Sequence, residues 1–194
     1  MKKFISLISF LLLFVSSSTL ATWQLDNEQS LVSFVSIKKS DVAESHHFDS
    51  LKGIIKSNGE AQVSISLASV NTGISIRNER MQGMLFESEL FPKAIITANI
   101  GTKLIEKLAL GESSELMLQG RLELHGMKKS LQIPTYVTKV SNTKLMVTSI
   151  KPVIINAKDF GLEEGVKELQ KIASLPSISN AVPVNFVLTF IREG

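Results

Sequence analysis

Side chains able to do chemistry are few in this chain of 194 residues, and they are poorly grouped. There is no cysteine, and the histidines are His46, His47 and His125. Neighbouring residues in a strand point to opposite faces, so His46 and His47 make a poor chelate. His125, followed by Gly126, reads as a turn residue. Three histidines without ligand spacing do not specify a metal site. Glu87 and Glu89 form a carboxylate pair, but two acids beside a helix end read as solvated surface. No Gly-x-Ser-x-Gly elbow and no glycine-rich loop opening a helix is present. No catalytic residue is assigned, and the chain does not read as an enzyme. Arg77 and Arg80 read as surface or as a salt bridge that holds their own segment.

The elements that position these residues are mostly strands. Ala61, Val63, Ile65 and Leu67 alternate with Gln62, Ser64 and Ser66. Leu116, Leu118, Leu122 and Leu124 alternate with Met117, Gln119, Arg121 and Glu123, and Gly120 is expected at a bend or bulge. Leu131, Ile133 and Val137 continue the pattern, and Val182, Val184, Phe186, Leu188 and Phe190 make the clearest strand. This period of two marks strands with one buried face. Further strands are expected over 31–37, 51–56, 94–100, 145–150 and 153–155. Asn58-Gly59 is a strong hairpin signal, and His125-Gly126-Met127 reads as a second. Two segments break the pattern: 77–85 has helical composition, and 163–175 puts Val166, Leu169 and Ile172/Ala173 at helical spacing. The expectation is an all-β fold of about eight antiparallel strands, with one or two short helices, closing into a barrel.

An outward apolar face would make a membrane barrel. That architecture needs aromatic girdles at both interfaces, and beyond phenylalanine the chain has only Trp23 and Tyr136. The apolar face is therefore expected to point inward, where a barrel of this size either fills itself or holds one small ligand.

The N-terminus reads as an export signal. Lys2 and Lys3 precede an apolar run over 4–15, and small residues follow up to Ala21, which places cleavage before Thr22. The run is shorter than the roughly 20 apolar residues of a membrane-spanning helix. The organisation is then a signal over 1–21 and one domain over 22–194. Cleavage removes two of the 21 basic residues and none of the 18 acids. The exported domain is close to neutral, which gives no case for nucleic acid. A periplasmic location fits best.

Three motifs carry a family resemblance. Ser69-Val70-Asn71-Thr72-Gly73, followed by Arg77-Asn78-Glu79-Arg80-Met81 and Leu85-Phe86-Glu87 through Leu90-Phe91-Pro92, resembles the central motif of the YceI-like family. Gly120 through Lys129 resembles its second signature hairpin, and Asn156 through Leu162 its third motif. The resemblance implies an extended lipocalin-like barrel of eight antiparallel strands, holding a polyisoprenoid or similar long amphiphile such as a quinone-type lipid. Each buried methylene contributes about 0.8 kcal/mol, so a long tail needs no strong polar contact. No other cofactor is expected. Under this reading Phe34, Val63, Ile65, Leu67, Leu116, Leu118, Leu122, Val184, Phe186 and Leu188 are the candidate channel lining. Met81, Met84, Leu85 and Phe86 would form an adaptable lid, and Arg77 and Arg80 would meet the head group. Asp159-Phe160-Gly161 reads as structural: glycine for a tight turn, phenylalanine as anchor, aspartate bonding nearby backbone. The expected partner is an isoprenoid or fatty amphiphile, and a homodimer is a candidate assembly. The competing readings are a ligand-free envelope stress or structural protein and, more weakly, a lipid-modifying enzyme.

Overall fold

A computed structural model describes residues 22–192, and the expected export signal over 1–21 lies outside the described residues. The alternating runs pair into one antiparallel sheet of twelve strands. They are β1 (Trp23–Leu25), β2 (Leu31–Lys38), β3 (Val42–Phe48), β4 (Leu51–Ile55), β5 (Glu60–Ser66), β6 (Val70–Asn71) and β7 (Lys93–Asn99). The chain continues through β8 (Ser113–Leu124), β9 (Met127–Ser141), β10 (Lys144–Ser149), β11 (Val153–Asn156) and β12 (Ala181–Ile191).

These twelve pieces occupy the eight strand positions of a closed antiparallel barrel. β1 continues into β2, β3 into β4, β5 into β6, and β10 into β11, each pair interrupted by a short break. Registers run through the breaks: Ser33 faces His47 between β2 and β3, and Trp23 faces Ile55 between β1 and β4. β12 closes the barrel, pairing with β10 and β11 on one side and with β1 and β2 on the other. Closure leaves no long sheet edge for a foreign strand to join.

Both expected hairpins are present. Gly59 turns at φ +85° between β4 and β5. His125 and Gly126, at φ +50° and +74°, join Leu124 to the facing Met127 with the left-handed pair that a two-residue hairpin requires. Gly120 sits in no bulge of the β8–β9 ladder, whose register passes through it unbroken with Gly120 facing Leu131, while on its other side the β7–β8 pairing ends at Arg121. Gly120 points inward, and a Cβ there would lie 2.6 Å from Ile133 Cδ1 and 3.2 Å from Ile96 Cδ1. The missing side chain makes room for two isoleucines.

The helices stand at the barrel ends. α1 (Ser75–Arg80) runs into a π turn over Met81–Leu85, closed by the Phe86 N–H donating to the Met81 carbonyl at 2.9 Å. α2 (Thr102–Lys107) links β7 to β8, and α3 (Glu163–Ile172) follows β11. At the α2 end Trp23, Ile55, Leu145 and Phe190 pack with Ile105 and Leu108 in one buried cluster. At the other end Met81, Phe86, Phe160, Leu162 and Val166 form a second apolar cluster with Leu67, Leu122 and Leu124. α3 meets the π turn backbone to backbone, for a Cβ on Gly165 would fall 2.6 Å from the Met84 carbonyl oxygen. No helix among the described residues is long and apolar enough to cross a membrane.

The third motif is structural, with one correction. Phe160 is buried, and Gly161 ends a 3₁₀ turn over Ala157–Phe160 at φ +68°. The side chain that bonds the backbone there is Asn156, accepting from the Lys158 N–H at 3.1 Å, while Asp159 is exposed. Asn156 is the residue just before the turn, where a short side-chain acceptor reaches the first free N–H groups.

Candidate functional site

The inward side chains of the barrel do not meet in the middle. Between the packed α2 end and the helical cover lies a cavity of about 530 Å³, walled almost wholly by aliphatic and aromatic groups. Its wall draws on β2, β3, β5, β7, β8, β9, β10, β11 and β12, and on the faces of α1, the π turn and α3. Alternation explains the wall. Each strand sends every second residue inward, and the closed barrel turns those faces toward one axis.

Fourteen of the sixteen residues singled out from the sequence lie on this wall. Phe34 comes from β2, Val63 and Ile65 from β5, and Leu67 from the 3₁₀ turn that follows. Leu118 and Leu122 come from β8, and Val184, Phe186 and Leu188 from β12. Met81, Leu85 and Phe86 close the wall from the cover, joined by Arg77 and Arg80 of α1. Two residues lie elsewhere. Leu116 points inward on β8 but packs against the α2-end core. Met84 faces outward and is 39% exposed, because the wider π winding brings Met81, Leu85 and Phe86 to the inner side and turns Met84 away.

The polar part of the wall is concentrated beside the cover, on the β2–β3 hairpin and α1. Phe34 faces His46 across the hairpin and Ser36 faces Glu44, so Ser36, Lys38, Glu44 and His46 share the inner side. Glu44 is the hub: Lys38 Nζ lies 2.8 Å from Oε1 and Arg77 Nη1 2.7 Å from Oε2. The hydrogen bond from Lys38, aided by Arg77, holds the Glu44 carboxyl below its ordinary value against the opposing effect of burial. Arg77 Nη2 also donates to the Thr72 carbonyl at 2.7 Å. Asn78 Oδ1 accepts from the Thr72 N–H at 2.9 Å and from its hydroxyl at 2.6 Å. The central motif thus fastens α1 to β3 and β6, and Arg77 serves both as the motif's salt bridge and as cavity wall.

His46 is 3% exposed; its Nε2 lies 2.8 Å from Ser36 Oγ, and its ring stands 5.2 Å from that of Phe34. Burial, and then the Arg77 charge, push its pKa down, so the imidazole is neutral at pH 7. Sequence reasoning missed His46, Glu44 and Lys38. The inner face of β3 carries Glu44 and His46 where an apolar alternation would be sought, so no period was visible. It also found the spacing of Val166 and Leu169 without assigning them to the site, although both line the cavity from α3. His47 and His125 lie off the wall, paired with Asp49 at 2.9 Å and Glu87 at 2.7 Å. His125 is more than a turn residue, for its ring also packs 4.3 Å from that of Phe91.

The family model for the YceI-like domain matches residues 23–190, the whole barrel. The chain belongs to the YceI-like family. A solved polyisoprenoid binding domain from Saccharophagus degradans, implicated in plant cell wall breakdown, is 40% identical. The match covers 88% of this chain and 98% of that one, with a TM-score of 0.86. BcnA of Burkholderia cenocepacia shares the fold at 18% identity and TM-score 0.62, over 85% of this chain and 98% of its own. The YceI protein of Campylobacter jejuni does so at 16% identity and TM-score 0.54, over 77% and 84%. Among curated proteins, none matches this chain. The YceI-like barrel accounts for where the three sequence motifs sit: on the cover, on the β8–β9 hairpin, and on the turn that leads into α3.

Proposed function

We propose that this YceI-like protein is a periplasmic binding protein, exported by residues 1–21, that carries a polyisoprenoid or similar long-chain amphiphile in its barrel without acting on it as an enzyme. The observation that carries this reading is the apolar cavity of about 530 Å³ between the two barrel ends. A domain with a filled barrel would gain packing contacts there, and the lining of an apolar void forgoes them until a tail occupies it. The S. degradans relative, named for binding a polyisoprenoid, supports the choice of tail.

The test uses residues 22–194 expressed with export. Native mass spectrometry of the purified protein is expected to reveal a stoichiometric lipid, and the delipidated protein to take up farnesol. Leu118 lies on the cavity wall, opposite Ile133 in the β8–β9 register. Leu118→Trp should fill the space, cutting farnesol uptake at least tenfold while leaving the circular dichroism spectrum unchanged. A protein that neither retains nor takes up prenyl or acyl chains sinks the reading. Unfolding of Leu118→Trp would mark the position as tightly packed core.

A further inference from the structure

The polar groups of the cavity are unbalanced in charge and in hydrogen bonding. Its wall carries three cationic side chains, Lys38, Arg77 and Arg80, against one carboxylate, Glu44. Glu44 is already shared between Lys38 and Arg77. Arg80 follows Arg77 by three residues, on the same side of α1, and makes no ion pair among the described residues. Two further nitrogens, Arg77 Nε and His46 Nδ1, are buried with no hydrogen-bond partner among the described residues.

A buried polar atom left unpaired is costly, so such atoms mark a missing partner. Arg77 Nε carries a hydrogen and can only donate. The Ser36 hydroxyl rotates freely, and in the tautomer where it donates to His46 Nε2 at 2.8 Å the ring hydrogen sits on Nδ1. In that tautomer both unmet atoms on the cavity wall are donors, the third buried unpaired atom, Asn180 Oδ1, lying off the wall, and the local charge is positive. The complement is an acceptor that bears negative charge.

We propose that Arg80, Arg77 Nε and His46 Nδ1 together receive an acidic head group, a carboxylate or a phosphate, on the amphiphile whose tail fills the barrel. This rests on the reading that the barrel holds an amphiphile. Glu44 and the Thr72 carbonyl hold Arg77 by its two terminal nitrogens and leave its Nε without a partner, and Arg80 adds a cation that no carboxylate among the described residues offsets. The site distinguishes an acid from the alcohol with the same tail.

The experiment measures competition of four probes for the delipidated protein at pH 7: palmitic acid against hexadecanol, and farnesyl phosphate against farnesol. At least one acid is expected to bind about tenfold or more tightly than its alcohol, the scale of one charge-assisted contact out of water. The pair that shows the preference identifies carboxylate or phosphate as the head group. Arg80→Gln should reduce that acid-to-alcohol ratio about tenfold, and Arg80→Lys should keep most of it. Acids and alcohols binding equally to the wild type, or a ratio untouched by Arg80→Gln, would overturn the head-group assignment while leaving the tail-binding reading intact. If none of the four probes binds, the carrier reading falls, and this one with it.

Discussion

The two ends of the barrel are built from the same kind of strand and do opposite things. At the α2 end Ile55, Leu145 and Phe190 are at most 1% exposed and pack in one cluster with Trp23 and Ile105, Phe190 also reaching the cavity wall. Arg192 closes that end from outside, its guanidinium 4.5 Å from the centre of the Trp23 ring. At the cover end the strands carry Lys38, Glu44 and His46 on the inner side, and helices supply the closing apolar face. One end has spent its inward side chains on packing. The other keeps a cavity, unpaired donors and a cover fastened by a few polar contacts. A barrel can therefore be stable and still hold space, provided the two tasks fall at different heights along its axis.

The largest effect expected from this contrast is at the α2 end. Leu145 is completely buried and lies off the cavity wall, so Leu145→Ala should cost about 2–5 kcal/mol in urea unfolding without altering ligand selectivity. A loss below 1 kcal/mol would mean that this end can relax as the other does, and the contrast would fail.

An intermediate effect is expected where the cover is seated. Alanine normally stabilises a helix relative to glycine, but at Gly165 the added Cβ would meet the Met84 carbonyl oxygen at 2.6 Å and Leu85 Cα at 2.8 Å. These are backbone atoms that cannot swing aside, so the clash outweighs the propensity gain. Gly165→Ala should lower stability by about 1–3 kcal/mol and speed release of bound farnesol, measured by stopped-flow fluorescence. Slower or unchanged release would show that the helices do not control access.

The smallest effect is a pH dependence confined to the cover end. The folded-state pKa of His46 is depressed below its ordinary value of 6.5. The unfolded chain therefore binds a proton first as pH falls below that value, and stability declines as acidification proceeds toward the folded pKa. Glu44, also depressed, adds a loss in the same direction below its ordinary 4.5. The thermal midpoint should fall between pH 7 and pH 5.5, and His46→Phe should flatten that fall. A slope unchanged in His46→Phe would assign it to other groups.

Much of this was legible in the chain because alternation is a local property. Val63 and Ile65, Leu118 and Leu122, and Val184 through Leu188 declared their inner faces without reference to any partner strand. Asn58-Gly59 and His125-Gly126 fixed two hairpins for the same reason, since a left-handed backbone turn depends on the residues that make it. β3 was not legible. Its inner residues are polar, and their burial is tolerated only because Ser36, Lys38 and Arg77 arrive from elsewhere. β1 and β6, at three and two residues, are too short to show a period.

By itself the sequence determined the strand faces, the main turns, the two helical segments and the family motifs, because each depends on neighbours along the chain. Tertiary structure alone decided how far inward the side chains reach. It left Leu116 in packed core and Met84 outside, gave the space at Gly120 to a pair of isoleucines, and set the unpaired nitrogens of His46 and Arg77 beside an apolar cavity. Those outcomes depend on distances across the barrel and on the winding of the π turn, and no spacing along a single strand encodes them.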